Sequence, residues 1–154
     1  MVPYSFLRSL EVSAQLPGGP EVSVRVLIIE DDQVTAQSLQ HRLERIGCKV
    51  VAIVGNSADA IAQLHEQKPD LVTLDINLSD IDGGDAVKVY ETIRIENPGC
   101  EIAVITGSAF PRHRDIFRRG VLGFYRKPIN FDEIARELRK YFPELKPYRP
   151  DRAL

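Results

Sequence analysis

Short apolar runs and amphipathic stretches alternate along the chain from Val24 onward. The runs are rich in Val, Ile and Leu and are nearly continuous, which is typical of parallel strands buried on both faces. In the stretches between them, apolar residues recur every three or four positions, as on the buried face of a helix. The pattern predicts strands over residues 24–29, 50–54, 71–74, 102–105 and 121–125.

Start and stop signals place five helices between and after these strands. Asp32 and Ser57 are residue types that cap helices, and Asn130 with Glu133 has the spacing of a capping box. Gly47 is a stop signal. The predicted helices cover residues 33–46, 57–67, 85–96, 111–119 and 130–141, and Pro143, Pro147 and Pro150 keep the chain from extending the last one.

Alternating strands and helices predict an α/β fold, a doubly wound five-stranded parallel sheet with five flanking helices. Right-handed crossovers and this chain length favour the flavodoxin-like strand order 2-1-3-4-5. In that order the binding crevice lies at the carboxyl ends of strands one and three.

The composition is that of one globular domain. The chain has 154 residues, of which 44% are apolar and 27% charged, enough for a sizeable core and too many charges for a membrane protein. We expect the domain over residues 24–142, an N-terminal extension or linker over 1–23, and a C-terminal tail over 143–154. Only 12 residues follow Phe142, so we expect a stand-alone domain with no effector domain attached.

Charge and targeting signals narrow the class of partners. The net charge of −2 provides no field to gather nucleic acid, so we expect no direct nucleic-acid contact. No apolar run approaches the roughly 20 residues of a membrane span, and no signal peptide is recognisable, so we expect a cytoplasmic protein without membrane contact. Cys48 and Cys100 have no Cys or His at metal spacing nearby, and we expect both to be reduced thiols.

Acidic residues follow two strands that the predicted order makes neighbours. Glu30 and Asp31 come after strand one, and Asp75 ends strand three. Carboxylates that converge raise one another's pKa unless a cation joins them. Mg²⁺ prefers such oxygens, so Glu30, Asp31, Asp75 and the backbone oxygen of Asn77 form a candidate, incomplete magnesium shell.

Strands four and five also end in residues with reactive or charged groups, and these ends lie at the same edge of the predicted sheet. Thr106 ends strand four with a hydroxyl, Gly107 follows with no side chain to block a ligand, and Lys127 precedes a proline after strand five. With these groups, the edge suits phosphoryl transfer onto a carboxylate. Asp75 would be the attacking group, and Lys127 would offset phosphoryl charge.

Together these motifs resemble the receiver domain of bacterial two-component response regulators, of the CheY-like type, over about residues 25–142. The resemblance implies that Asp75 accepts a phosphoryl group from a sensor histidine kinase or a phosphotransfer protein. It also implies Mg²⁺ on Asp31, Asp75 and the Asn77 main-chain oxygen, and on Glu30 through water. The motifs are Val-Leu-Ile-Ile-Glu30-Asp31-Asp32, Leu71-Val-Thr-Leu-Asp75 with Asp82-Gly83, Thr106-Gly107 and Lys127-Pro128.

The resemblance further implies a two-state switch. Thr106 would move to the phosphoryl oxygen, Lys127 would pair with it, and Phe124 would turn inward, changing the face made by the fourth helix, fifth strand and fifth helix. Such domains catalyse only their own phosphorylation and dephosphorylation, so we do not expect an enzyme. Ser79, where Pro is frequent, Gly84, where an apolar residue is usual, and Phe124, where Tyr is commoner, depart from the family pattern.

The output face implied by the resemblance is basic. This charge has three interpretations. The face could bind an acidic downstream protein, it could bind a second copy of the chain in a homodimer, or it could be a solvated face that binds no partner. The basic residues of the two helices are Arg112, His113, Arg114, Arg118, Arg119, Arg136, Arg139 and Lys140.

Other interpretations of the acidic site are a Mg²⁺-dependent phosphatase of haloacid-dehalogenase type, a flavodoxin-like cofactor binder, and an inactive scaffold. The phosphatase requires a second Asp two residues after the nucleophile, where this chain has Asn77. The flavodoxin-like binder is disfavoured because Glu30 and Asp31 would repel a phosphate. Taken singly, Asp75, Thr106 and Lys127 are equally well explained as ordinary strand-end residues; only their combination indicates function.

Overall fold

The computed structural model describes residues 23–78, 84–107 and 120–150. The predicted helix over 111–119 lies outside these ranges, as do Ser79, the Asp82-Gly83 motif, all of the predicted N-terminal extension except Ser23, and the last four residues. The helix bounds, strand bounds and contacts given below refer to the described residues.

Five parallel strands form a single sheet in the order β2-β1-β3-β4-β5. This confirms the predicted flavodoxin-like order. The strands are β1 (Val24–Ile29), β2 (Cys48–Val54), β3 (Leu71–Asp75), β4 (Glu101–Thr106) and β5 (Gly123–Arg126).

Four helices lie in the described part of the chain, where five were predicted over the whole sequence. They are α1 (Gln33–Arg45), α2 (Ser57–Gln67), α3 (Gly84–Glu96) and α4 (Phe131–Tyr141). None of these helices is long and apolar enough to cross a bilayer.

The observed helix cap agrees with the predicted one at α1 and differs from it at α2 and α4. Asp32 caps α1 as predicted, and its carboxylate accepts a hydrogen bond from the Thr35 amide at 3.0 Å. The predicted cap Ser57 is wrong: Asn56 caps α2 and accepts from the Asp59 amide at 2.8 Å. Asn130 occupies the cap position of α4 but makes no side-chain cap hydrogen bond, so the capping box is not formed.

Strand bounds differ from the apolar runs because ladder partners define them. β2 begins two residues before its predicted start, since Cys48 and Lys49 lie opposite Val24 and Arg25 of β1. β5 is shifted to Gly123–Arg126, where Gly123 lies opposite Ala103 and Arg126 opposite Thr106. The shift brings the ends of β4 and β5 to the same level of the sheet edge.

The sheet separates the core into two layers, because successive side chains of a strand point to opposite faces. Val26 and Ile28 of β1 pack in one layer, which contains residues of α1 and α4. Leu27 and Ile29 pack in the other, with residues of α2 and α3. β1 is therefore buried on both faces, as its continuous apolar run predicts. Cys48 and Cys100 are both buried and are not joined to each other by a disulfide.

Residues 143–150, although predicted as a tail, contribute side chains to the first layer. Leu145 is 3% exposed, and the Lys146 amide donates to the Ile46 carbonyl at 2.9 Å, at the end of α1. The ring of Tyr148 meets the ring of Phe131 edge-on, with their centroids 4.7 Å apart. We call residues 143–150 the return segment.

We predict that Leu145→Ala lowers the free energy of unfolding by about 2–4 kcal/mol, because it removes a buried side chain and leaves a cavity. Ile95→Ala is the matched control, because Ile95 is 80% exposed. It should change the free energy by less than about 0.5 kcal/mol. Urea unfolding of both variants measures the difference. Equal stability of Leu145→Ala and the wild type would show that the return segment does not belong to the folded core.

Candidate functional site

Three carboxylates meet at the carboxyl edge of the sheet. Glu30 follows β1 and Asp75 ends β3, and these strands are paired, with Ile29 opposite Leu74. Glu30, Asp31 and Asp75 each offer an oxygen that lies within 4.8 Å of the other two. Glu30 is 5% and Asp75 is 2% exposed, while Asp31 is exposed to solvent. The cluster is therefore buried on one side and open on the other.

Backbone amides fix two of these carboxylates. The Asn77 amide donates to Asp75 Oδ1 at 3.0 Å, and the Asp32 amide donates to Glu30 Oε1 at 3.2 Å. Buried carboxylates need such partners, because their desolvation is costly. The hydrogen bond from Asn77 thus orients the Asp75 carboxylate through one of its two oxygens.

Lys127 is the cation that bridges the two buried carboxylates. Its Nζ lies 2.8 and 2.9 Å from the two oxygens of Glu30 and 3.1 Å from Asp75 Oδ2. Its backbone amide donates to the Thr106 carbonyl at 2.9 Å, which ties it to the end of β4. The peptide bond between Lys127 and Pro128 is cis.

The pKa values of the pair reflect burial and mutual attraction. Burial raises the pKa of Glu30, while its hydrogen bond with Lys127 works in the opposite direction. Burial alone would lower the pKa of Lys127, but its contacts with Glu30 and Asp75 together raise it. Lys127 is therefore held in its charged form, and it supplies the positive charge that the cluster requires.

Thr106 and Gly107 lie at the same edge, as predicted. Thr106 is buried, ends β4 and stands opposite Arg126 in the ladder. Gly107 is exposed, and a Cβ added to it would come no closer than 3.9 Å to Lys127 Cδ, an ordinary contact. Packing does not demand glycine there, and the predicted phosphate-binding role of Gly107 stays a prediction.

Phe124 and Asn77 are placed by the structure, but their predicted roles are not tested by it. Phe124 is half-buried in β5 and packs against the core layer of α2 and α3. Asn77 is exposed and contributes its amide to Asp75. The Asn77 main-chain oxygen as a metal ligand and Phe124 as a switch residue remain predictions.

The donor set fits a hard divalent cation. Three carboxylate oxygens lie within 4.8 Å of one another, one of them from a solvent-exposed residue, so an ion could keep part of its water shell. The residues that could hold it are the predicted ones, Glu30, Asp31 and Asp75.

Comparison with known proteins gives the family. A sequence model described as the response regulator receiver domain matches residues 26–139. The chain belongs to this family. The receiver family assignment confirms the resemblance found in the sequence, and it favours the phospho-accepting switch over the haloacid-dehalogenase alternative.

Two curated relatives illustrate the sequence similarity of this receiver. The chain is 30% identical to sensory transduction protein LytT of Bacillus anthracis over 122 residues, which are 77% of this chain and 47% of that protein. It is 29% identical to chemotaxis protein CheY of Bacillus subtilis over 119 residues, 75% of this chain and 95% of CheY. The chain spans about half the length of the first curated relatives it matches.

Solved structures show the same fold. The signal receiver domain of a modulated diguanylate cyclase from Desulfovibrio desulfuricans G20 gives a TM-score of 0.69 at 24% identity, covering 80% of this chain and 96% of that one. A chain of the CheX-CheY-BeF3-Mg+2 complex from Borrelia burgdorferi gives a TM-score of 0.65 at 20% identity, covering 77% of this chain and 88% of that one. These matches confirm the receiver fold.

Two features of the receiver site were not predicted from sequence. One is the direct contact between Lys127 and Glu30, because only the phosphoryl group was expected as the partner of this lysine. The other is Gly55, where a Cβ would lie 3.3 Å from Asp31 Cα, so glycine allows β2 to end close to the acidic loop. A glycine that directly follows a predicted strand was the available signal.

We predict that Lys127→Met lowers the free energy of unfolding in metal-free buffer by about 1.5–3 kcal/mol, because two buried carboxylates lose their charged hydrogen-bond donor. The control is Lys140→Met, which breaks the exposed 3.0 Å pair between Lys140 and Glu137 and should cost less than about 1 kcal/mol. Urea unfolding in the presence of a chelator measures both. Equal effects of the two substitutions would contradict the bridging role of Lys127.

Proposed function

We propose that this receiver is a signalling switch in which Asp75 takes a phosphoryl group from the phosphohistidine of a sensor kinase or phosphotransfer protein. The observation that carries the proposal is the position of Asp75: buried, held through Oδ1 by the Asn77 amide, and contacted at Oδ2 by Lys127. An oriented carboxylate beside a fixed cation is what attack on phosphorus requires.

In this proposal Mg²⁺ is held by Glu30, Asp31, Asp75 and the main-chain oxygen of Asn77. When bound, it would offset the negative charge of the phosphoryl group, as divalent ions do in phosphoryl transfer. The acidic cluster supports this assignment, and the Borrelia burgdorferi complex that contains the structural neighbour was solved with BeF3 and Mg²⁺.

The transfer itself is a substitution at phosphorus. An oxygen of Asp75 forms the new bond to phosphorus as the bond to the histidine nitrogen breaks, and the imidazole leaves with the electron pair. Lys127 would offset the negative charge of the phosphoryl group, and Gly107, which has no side chain, would leave room for that group. Water later cleaves the acyl phosphate, which releases inorganic phosphate and restores the Asp75 carboxylate. The chemistry is therefore limited to the chain's own modification, and we do not propose an enzyme.

The output of the switch is a change of surface. We assign Thr106 to the phosphoryl oxygen and Phe124 to the coupled aromatic switch, since Thr106 ends β4 and Phe124 lies opposite Val104 of the same strand. The face that changes includes β5 and α4, and a downstream protein or a second copy of the chain in a homodimer would bind there. Because Phe124 has no hydroxyl, its partner contacts would be apolar.

We also propose a receiver domain over residues 24–142 that acts through protein contacts without direct nucleic-acid binding. Residues 1–23 are its N-terminal extension, and residues 143–154 are a C-terminal tail whose return segment packs on the domain. We place it in the cytoplasm, because the two buried cysteines are free thiols, as is usual in a reducing compartment.

We predict that incubation with acetyl phosphate and Mg²⁺ adds the mass of one phosphoryl group to the wild type, and that Asp75→Asn does not gain it. Asp32→Asn is the matched control: Asp32 is adjacent to the cluster but caps α1, and Asn is an equally good cap. The control should be phosphorylated like the wild type. Intact-protein mass spectrometry measures the gain. An unmodified wild type, or equal modification of Asp75→Asn, would contradict the proposal.

A further inference from the structure

The return segment forms a groove with α4 and the end of α1. Two hollows in this groove, of about 390 and 340 Å³, share Pro147 as a common wall. The first is lined by Asp132, Ala135, Arg136, Arg139, Pro147 and Tyr148, and the second by Arg45, Lys146, Pro147 and Arg149.

The walls of the groove are fixed by contacts with the folded domain. Tyr148 is held against Phe131, and the Lys146 amide bonds to the Ile46 carbonyl at 2.9 Å. The Arg45 guanidinium donates to the Arg149 carbonyl at 2.9 Å. The return segment therefore has a defined position, and a ligand would not have to order it.

The groove is basic although the chain as a whole has a net charge of −2. Four arginines and one lysine line the two hollows, against a single carboxylate, Asp132. In the described residues, Arg136, Arg139, Lys146 and Arg149 form no ion pair with a carboxylate. On the same helix, by contrast, Lys140 pairs with Glu137 at 3.0 Å. No carboxylate of the described residues therefore neutralises these four side chains.

We propose that this groove binds an extended acidic peptide segment of a partner protein, with carboxylates in both hollows. Guanidinium groups bind carboxylates with two parallel hydrogen bonds, and Arg139 and Arg149 offer one such group in each hollow. Pro147, which lines both hollows, and Tyr148, which lines the first, add apolar surface on which an aliphatic side chain would pack. This inference goes beyond the proposed function, because it requires neither Asp75 nor its phosphorylation.

Nucleic acid fits the groove less well than a peptide does. A nucleic acid carries a phosphate at every nucleotide, and the net charge of −2 leaves no field outside the groove that would hold those phosphates. The carboxylate of Asp132, inside the first hollow, would repel the phosphates of a longer strand. A short acidic segment needs only the local excess of cations.

The test uses a fluorescein-labelled peptide of alternating Glu and Ala residues. When this peptide is extended, all of its Glu side chains lie on one face. We predict that the wild type binds this peptide in fluorescence anisotropy at low ionic strength and does not bind the matching peptide of alternating Gln and Ala. The double substitution R139E/R149E should weaken binding by about tenfold or more, equivalent to about 1.4 kcal/mol.

The control K49E/K88E makes the same change in net charge at exposed lysines outside the groove. It should bind like the wild type, as should Asp75→Asn. The milder R139Q/R149Q separates loss of the ligand contacts from charge repulsion, and circular dichroism verifies that each variant folds. No binding by the wild type, equal weakening by the control, or tighter groove-dependent binding of a mixed-sequence oligonucleotide would overturn the proposal.

Discussion

The structure depends on one electrostatic constraint, the close approach of three carboxylates. One oxygen each of Glu30, Asp31 and Asp75 lies within 4.8 Å of the other two, and Glu30 and Asp75 are nearly inaccessible to solvent. Buried like charges at this separation need a cation. Lys127 meets this need with three contacts of 2.8–3.1 Å. The carboxylates that bind the lysine are also the candidate ligands of a divalent ion. The same residues therefore account for the charge balance of the cluster and for its proposed chemistry.

The sheet topology creates this arrangement. All strands run parallel, so β1, β3, β4 and β5 deliver Glu30, Asp75, Thr106 and Lys127 to the same edge. The Lys127 amide bonded to the Thr106 carbonyl extends the β4–β5 contact to the site itself. In the proposed switch, this contact would carry a change at the cluster to β5 and α4, where we place the output face. The basic groove lies beside the return segment and shares Arg136 and Arg139 of α4 with the basic residues predicted for the output face.

Much of the fold could be predicted because its signals are periodic. The bounds of β1 and the cap of α1 follow from a continuous apolar run and a single Asp. The contact between Glu30 and Lys127 could not, because it joins residues 97 positions apart through side-chain conformations that no local pattern encodes. The prolines after Phe142 predicted a tail. Leu145 and Tyr148 were the signal that it packs, but an isolated apolar residue does not specify its partner.

In this account, the carboxylates that follow β1 and end β3 together bind a single Mg²⁺ ion. The most direct measurement is a Mg²⁺ titration of isotopically labelled protein, followed through the backbone amide signals in NMR. We predict saturable shifts centred on Asp31, Asp75 and Asn77, extending to Lys127 as the ion competes for its carboxylate partners, and absent from Asp31→Asn. Signals at these residues that stay unmoved in the wild type, or that shift equally in Asp31→Asn, would contradict the account.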